Sequence, residues 1–180
     1  VEVRPADAAA SQWDCTLEDG AVRLGLRMVG GFAEAAGRRI VESRPHASVA
    51  DLAQRAGLNR KDLKCLAEAG ALQGLAGHRR IARWVVSGVE KGTAFLPSEM
   101  NIKSQPDLKS PSEGEEIAAD YASLGLTLGR HPLALLREHL KGLGMTKAEN
   151  LSLQPHGSRA RVAGLVTCRQ RPDTASGVVF

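Results

Sequence analysis

The chain of 180 residues has room for one medium domain or two small ones, and its 43% hydrophobic content suffices for a core. With aromatics at only 3%, that core has to be built from Ala, Leu and Val. Lys and Arg number 24 against 20 Asp and Glu, a net charge of +4 that by itself singles out no partner. No run of 18 apolar residues exists, which excludes a transmembrane helix. Val1 to Ala10 carries Glu2, Arg4 and Asp7 and no apolar stretch, which reads against a secretory signal. Cys15, Cys65 and Cys168 are odd in number and far apart, so they read as reduced thiols of a cytosolic protein.

The modest net charge conceals a pattern along the chain. Residues 1–20 carry −4, residues 21–91 carry +7, residues 92–118 carry −3 and residues 119–180 carry +4. Two basic blocks between acidic stretches suit two surfaces that meet a polyanion; solvated Arg on Ala- and Leu-rich helices explains them equally well. Leu24, Met28, Phe32, Ala36, Ile40 and Val41 keep a helical repeat, interrupted at Gly30-Gly31. The stretch Leu26–Val41 reads as helix end, Gly-hydrophobic-small hairpin (Gly31, Phe32, Ala33) and second helix. Such a turn presents backbone amides and a helix N-terminus to a phosphate without reading any base. Arg38 and Arg39 follow one turn later, within reach of neighbouring phosphates.

A second copy lies 26 residues on: Leu26 maps to Leu52, Gly31 to Gly57, Phe32 to Leu58, Arg38 to Lys64 and Ile40 to Leu66. Its hairpin is Gly57-Leu58-Asn59, with Asn59 capping a helix that Arg60, Lys61 and Asp62 begin and Gly70 ends. Two stacked hairpins suit a grip on the phosphates flanking a minor groove, irrespective of sequence. Arg79, Arg80 and Arg83 form a third basic cluster on a helix where Trp84, beside Ile81 and Val85, reads as a core anchor.

Residues 92–111, with Pro97, Pro106 and Pro111, read as a linker. Ser112 and Glu115 have capping-box spacing, so a helix should follow through Ile117, Tyr121 and Leu124. His131-Pro132 opens another, ending near Gly142. The alternation over Arg159–Val166, a turn at Arg171–Gly177 and the closing Val178-Val179-Phe180 predict strands. A lone hairpin is not stable, so the chain is expected to be part of something longer. Arg159 and Arg161 serve either a single strand of DNA or the polar face of an edge strand. No catalytic constellation is legible, and the five His residues form no metal-ligand cluster.

Several stretches together resemble one family: Val22–Gly31, Ser48–Leu58, Ala69–Leu72, Ala76–Arg80, Asp120–Leu133 and Val162–Pro172, and also Val1–Pro5 and Trp13–Leu17, with the linker the least specific part. It is the bacterial C-family DNA polymerases, in the error-prone branch related to the replicative polymerase III alpha subunit. The resemblance covers nearly the whole chain and implies a C-terminal fragment of mainly α fold. Its parts would be the end of the fingers (1–20), a tandem helix-hairpin-helix module (21–91), the linker (92–111), connecting helices (112–150) and the first strands of an OB domain (151–180). The implied function is sequence-independent DNA binding in damage-induced mutagenesis and translesion synthesis. The polymerase carboxylates and their divalent metal, Mg, would lie elsewhere, with no cofactor in this piece. Implied partners are duplex DNA, single-stranded template at the OB end, accessory mutagenesis proteins and the sliding clamp, in the cytoplasm. A stand-alone helix-hairpin-helix repair module, or a protein-interaction domain with incidental basic faces, is the alternative. The family's hairpin is often Gly-hydrophobic-Gly, where this chain has Ala33, and Gly30 stands where many relatives carry Lys.

Overall fold

The first strand, β1 (Val3–Arg4), pairs in parallel with β3 (Ala21–Arg23), and β3 pairs antiparallel with β2 (Thr16–Glu18), giving the order β1-β3-β2. Asp19 and Gly20 join β2 to β3 in two residues, both at positive φ (50° and 81°), the turn whose twist matches antiparallel strands. This computed structural model describes residues 1–89 and 107–166. It divides into two compact units, Val1–Gly129 and Arg130–Phe180.

In the first unit the ladder runs on past β3, because the Leu24 amide donates to the Arg4 carbonyl at 2.9 Å. That leaves room for only a 3-10 turn (Leu26–Met28) before the first hairpin, where the sequence pattern predicts the end of an α-helix. After the hairpin come α1 (Glu34–Glu42), α2 (Val49–Arg55), α3 (Arg60–Glu68), α4 (Gln73–Ala76), α5 (Arg79–Val89) and α6 (Glu113–Leu124). Leu26, Ile40, Leu52, Leu66 and Leu72 are fully buried at the centre. The Trp13 ring fills the space over Gly37 and so holds the N-terminal segment on α1. Arg44 completes that attachment: its guanidinium donates to the carbonyls of Ala8, Ala10 and Ser11. Burial lowers its pKa.

Helix ends follow the local chemistry read from the sequence. Ser112 and Glu115 form a reciprocal capping box on α6. Donation from the Ser112 backbone and hydroxyl, ahead of the Arg80 contribution, holds the Glu115 carboxyl down at about 2.

The burial of α5 corrects the expectation for Trp84. Its inward stripe is Arg79, Ala82 and Val86, and at about 100° per residue a position two residues beyond Ala82 points to the opposite side. Trp84 is 42% exposed.

In the second unit, His131 caps α7 (Pro132–Leu135) by accepting from the Leu133 amide at 3.2 Å. Then follow α8 (Arg137–Gly142) and a 3-10 turn, Ala148–Leu153. Among its described residues none is fully buried, and Leu136, Leu143 and Leu153 are exposed. Arg159–Val166 forms no strand, contrary to its alternation. A strand requires a ladder partner, and the segment expected to supply one, within 167–180, lies outside the described residues. So do residues 92–106 of the expected linker.

Candidate nucleic-acid interface

The two hairpins occupy equivalent places in the 26-residue repeat. Gly31 has φ +72° and Gly57 φ +57°, the left-handed region that a side chain strains. Leu26 and Leu52 are both 0% exposed, as are Ile40 and Leu66. Phe32 is buried and Leu58 half-buried, each anchoring its turn on the core. The corners themselves, Gly31 and Gly57, are exposed.

Their helix N-termini differ. At α1 the cap residue is Ala33, which offers no side-chain acceptor, so the first amides of the helix point out of the turn uncapped by any side chain. At α3 the cap is Asn59, whose Oδ1 accepts from the Asp62 amide at 3.0 Å while the Asp62 carboxylate accepts from the Asn59 amide at 3.2 Å. The remaining second-hairpin amides are also engaged: Gly57 donates to Gln54 O at 3.3 Å and Leu58 to Ala53 O at 2.9 Å. In the repeat, buried Asp62 stands where α1 has Ala36. In the first hairpin Phe32 likewise donates to Val29 O at 3.2 Å, so the corners differ at their helix N-termini, which a side chain caps at α3 and none caps at α1.

Gly30 has a positional reason. Its amide donates to the Ser123 carbonyl of α6 at 2.7 Å, and a Cβ on it would lie 2.9 Å from that oxygen. Gly30 is thus a close approach between the first hairpin and α6.

The basic residues fall into three groups. Lys61 and Lys64 are exposed on α3, and among the described residues neither is in an ion pair; Arg60, at the first helical position, is exposed beside them. Arg38 is exposed on α1 but bound at i,i+4 by Glu34, with contacts of 2.6 and 2.9 Å. Arg39 turns toward the second hairpin, donating through Nε to Ala56 O at 2.7 Å and through Nη2 to Gly57 O at 3.2 Å.

Arg79 is a correction to the predicted set. It is 3% exposed, contacts Glu116 through Nη1 and lies 2.5 Å from Asp120 through Nη2, so it pins α6 to α5 and faces no polyanion. Its place on the inward stripe of α5 is the reason. Arg80 lies nearer the surface and is held by Glu115 at 2.6 Å and by the Lys109 carbonyl at 3.0 Å. In the second unit Arg159 and Arg161 are exposed, Arg161 donating to Leu143 O at 3.3 Å. Among the described residues no group of three His, Cys, Asp or Glu is arranged to hold a metal ion.

Four residues, Glu34, Asp62, Glu116 and Asp120, shape this surface in roles that the sequence reading did not give them. Glu34-x-x-x-Arg38 is a legible i,i+4 pair, and Asn59-x-x-Asp62 has capping-box spacing with Asp in the acidic place. Glu116 and Asp120 carry no such signal, since they meet Arg79 from 37 and 41 residues away.

Paired Gly-turned corners leading into helix N-termini define the helix-hairpin-helix class, and a family model described as a helix-hairpin-helix motif matches residues 1–82. The resemblance to error-prone DNA polymerases holds across the whole chain. It is 49% identical over 188 residues to the error-prone DNA polymerase of Alkalilimnicola ehrlichii and 50% identical over 193 residues to that of Azoarcus sp., covering 100% of this chain and 18% of each relative. The error-prone DNA polymerase of Methylococcus capsulatus is 45% identical over 206 residues, covering 100% of this chain and 20% of that protein. The chain thus spans about a fifth of the length of the curated relatives it matches.

Proposed function

We propose that this chain grips duplex DNA by its phosphates, without regard to sequence, as the helix-hairpin-helix portion of an error-prone DNA polymerase acting in damage-induced mutagenesis and translesion synthesis. The observation that carries the reading is the first corner. Positive-φ Gly31 turns the chain into a helix whose first amides no side chain caps, which is the arrangement that holds a phosphate oxygen. Lys61 and Lys64, exposed and unpaired among the described residues, supply cations beside the equivalent turn. Nothing in this arrangement reads a base edge, so affinity rests on phosphate charge and counterion release.

In the longer polymerase the catalytic carboxylates and their divalent metal, Mg, belong to other segments, and this portion holds product duplex. Arg159 and Arg161, within the portion 151–180 read as the first strands of an OB domain, would contact single-stranded template. Accessory mutagenesis proteins and the sliding clamp complete the assembly in the cytoplasm.

Fluorescence anisotropy with two duplexes of unrelated sequence, titrated from 50 to 300 mM salt, tests the proposal. Equal affinities and a steep salt slope are expected. Lys64→Ala should weaken both duplexes by the same factor and flatten the slope by about 0.9, one phosphate's worth. Binding confined to one of the two sequences, or a slope near zero, refutes it.

A further inference from the structure

The repeat places Arg39 and Cys65 at the same position, 26 residues apart, each on the helix that follows its own hairpin. Each reaches the glycine of the other hairpin. Arg39 Nε lies 3.9 Å from where a Cβ on Gly57 would stand, and Cys65 Sγ lies 3.8 Å from the corresponding point on Gly31. The two helices thus face opposite turns reciprocally, but unequally: the thiol stands over the open side of Gly31, whereas Arg39 braces the second turn by donating two hydrogen bonds into the carbonyls of Ala56 and Gly57.

Ala56 is the C-cap of α2 and Gly57 the residue just beyond it, at the end where the helix dipole is negative and a cation is favoured. We propose that Arg39 is a positioning residue that sets the separation of the two hairpins, and so the spacing at which they meet the two phosphate rails of a duplex, and that it is not itself a phosphate ligand. The proposal rests on the duplex-binding reading above. Its logic is geometric. The fork of Arg39 spans adjacent carbonyls on the turn itself, so the orientation of the second corner relative to α1 follows that contact. An ammonium at the same place offers a single point of attachment.

The test uses the 180-residue chain with Arg39→Ala, Arg39→Lys, Lys64→Ala and the Arg39→Ala/Lys64→Ala pair. Duplex affinity is measured across salt, together with amide exchange at Gly57 and Leu58. Positioning predicts a loss of about five- to tenfold for Arg39→Ala with the parent salt slope retained, because no phosphate contact is removed. Arg39→Lys should recover only part of that loss, since the fork is gone. Lys64→Ala should cost markedly less in the Arg39→Ala background, because a second corner that is no longer held in place contributes little. Exchange at Leu58 should quicken in Arg39→Ala.

A direct phosphate contact predicts otherwise: a slope flatter by about 0.9, full rescue by Lys and additive losses. Any of those three overturns the proposal. Should Arg39→Ala fail to fold, the Lys variant alone still separates the two accounts. Should the parent chain not bind duplex, the functional reading falls by itself, and unchanged exchange at Gly57 and Leu58 in Arg39→Lys would sink the brace separately.

Discussion

Glu34 works against the anion seat that it borders. It occupies the first position of α1, where a bound phosphate would lie, and it neutralises Arg38 through contacts of 2.6 and 2.9 Å. Replacing it with Gln removes a negative charge from the seat and releases a cation, so duplex affinity should rise. Both side chains are about half exposed, 62% for Arg38 and 52% for Glu34. An exposed i,i+4 pair of this kind contributes about 0.3–0.5 kcal/mol, which binding no longer has to disrupt. A carboxylate roughly 6 Å from a phosphate repels it by about 0.7 kcal/mol in water. At physiological salt, with a Debye length of about 8 Å, screening halves that repulsion. The total is about 0.7 kcal/mol, or roughly a threefold gain in affinity, rising to about sixfold as salt is lowered. Anisotropy titrations of Glu34→Gln at two salt concentrations measure this. Glu42→Gln, an exposed carboxylate at the far end of the same helix, serves as the charge control. Unchanged or weaker binding by Glu34→Gln at low salt, or an equal gain in Glu42→Gln, would refute the placement of phosphate at the α1 N-terminus.

Two further outcomes concern the scaffold. Arg79→Ala strips the partner from Glu116 and Asp120 and should cost about 2–3 kcal/mol, below the cost of breaking a fully buried pair because both carboxylates keep some contact with solvent; urea unfolding showing under about 1 kcal/mol would contradict the ion-pair triad. Stability should also fall as pH drops below the ordinary His value of 6.5, because His46 is buried and its pKa is lowered, by burial first and then by Arg55 and Arg44, against the opposing pull of Asp51. The Ser43 hydroxyl has one proton and gives it to the Arg39 carbonyl at 2.7 Å, so His46 Nε2 is the donor in their 3.0 Å contact and Nδ1 is left buried without a partner. The unfolded chain takes up the proton first as pH falls, so the loss begins near pH 6.5 and levels off below the folded-state pKa. Thermal unfolding from pH 8 to pH 5 measures it, and a flat profile for the parent would contradict the assignment, as would an undiminished slope in His46→Gln.

The corners and caps were legible because they are local. Gly31 and Gly57, the Asn59 cap, the Ser112–Glu115 box and the His131-Pro132 start each depend on residues within a few positions of one another. The Asp19-Gly20 turn was equally legible, in the stretch Thr16–Arg23, and a reading tuned to helical repeats passed over it. Trp84 was misread because apolar neighbours in sequence were taken for neighbours in space, while the buried stripe of α5 runs through Ala82 and Val86. The strand expected over Arg159–Val166 shows the same limit, since alternation alone supplies no partner.

The cations make the division clearest. Arg38, Arg39, Lys64, Arg79 and Arg80 look alike as entries in a basic block from 21 to 91. Folding leaves Lys64 in solvent, gives Arg38 to Glu34, lays Arg39 on the opposite hairpin and buries Arg79 between two carboxylates of α6. The pattern of glycines, caps and apolar spacing by itself determined where this chain turns and which helices follow. Which positive charges remain for a polyanion was decided only by the tertiary structure, because an ion pair forms with whatever carboxylate or carbonyl arrives within a few ångströms, however many residues away it lies along the chain.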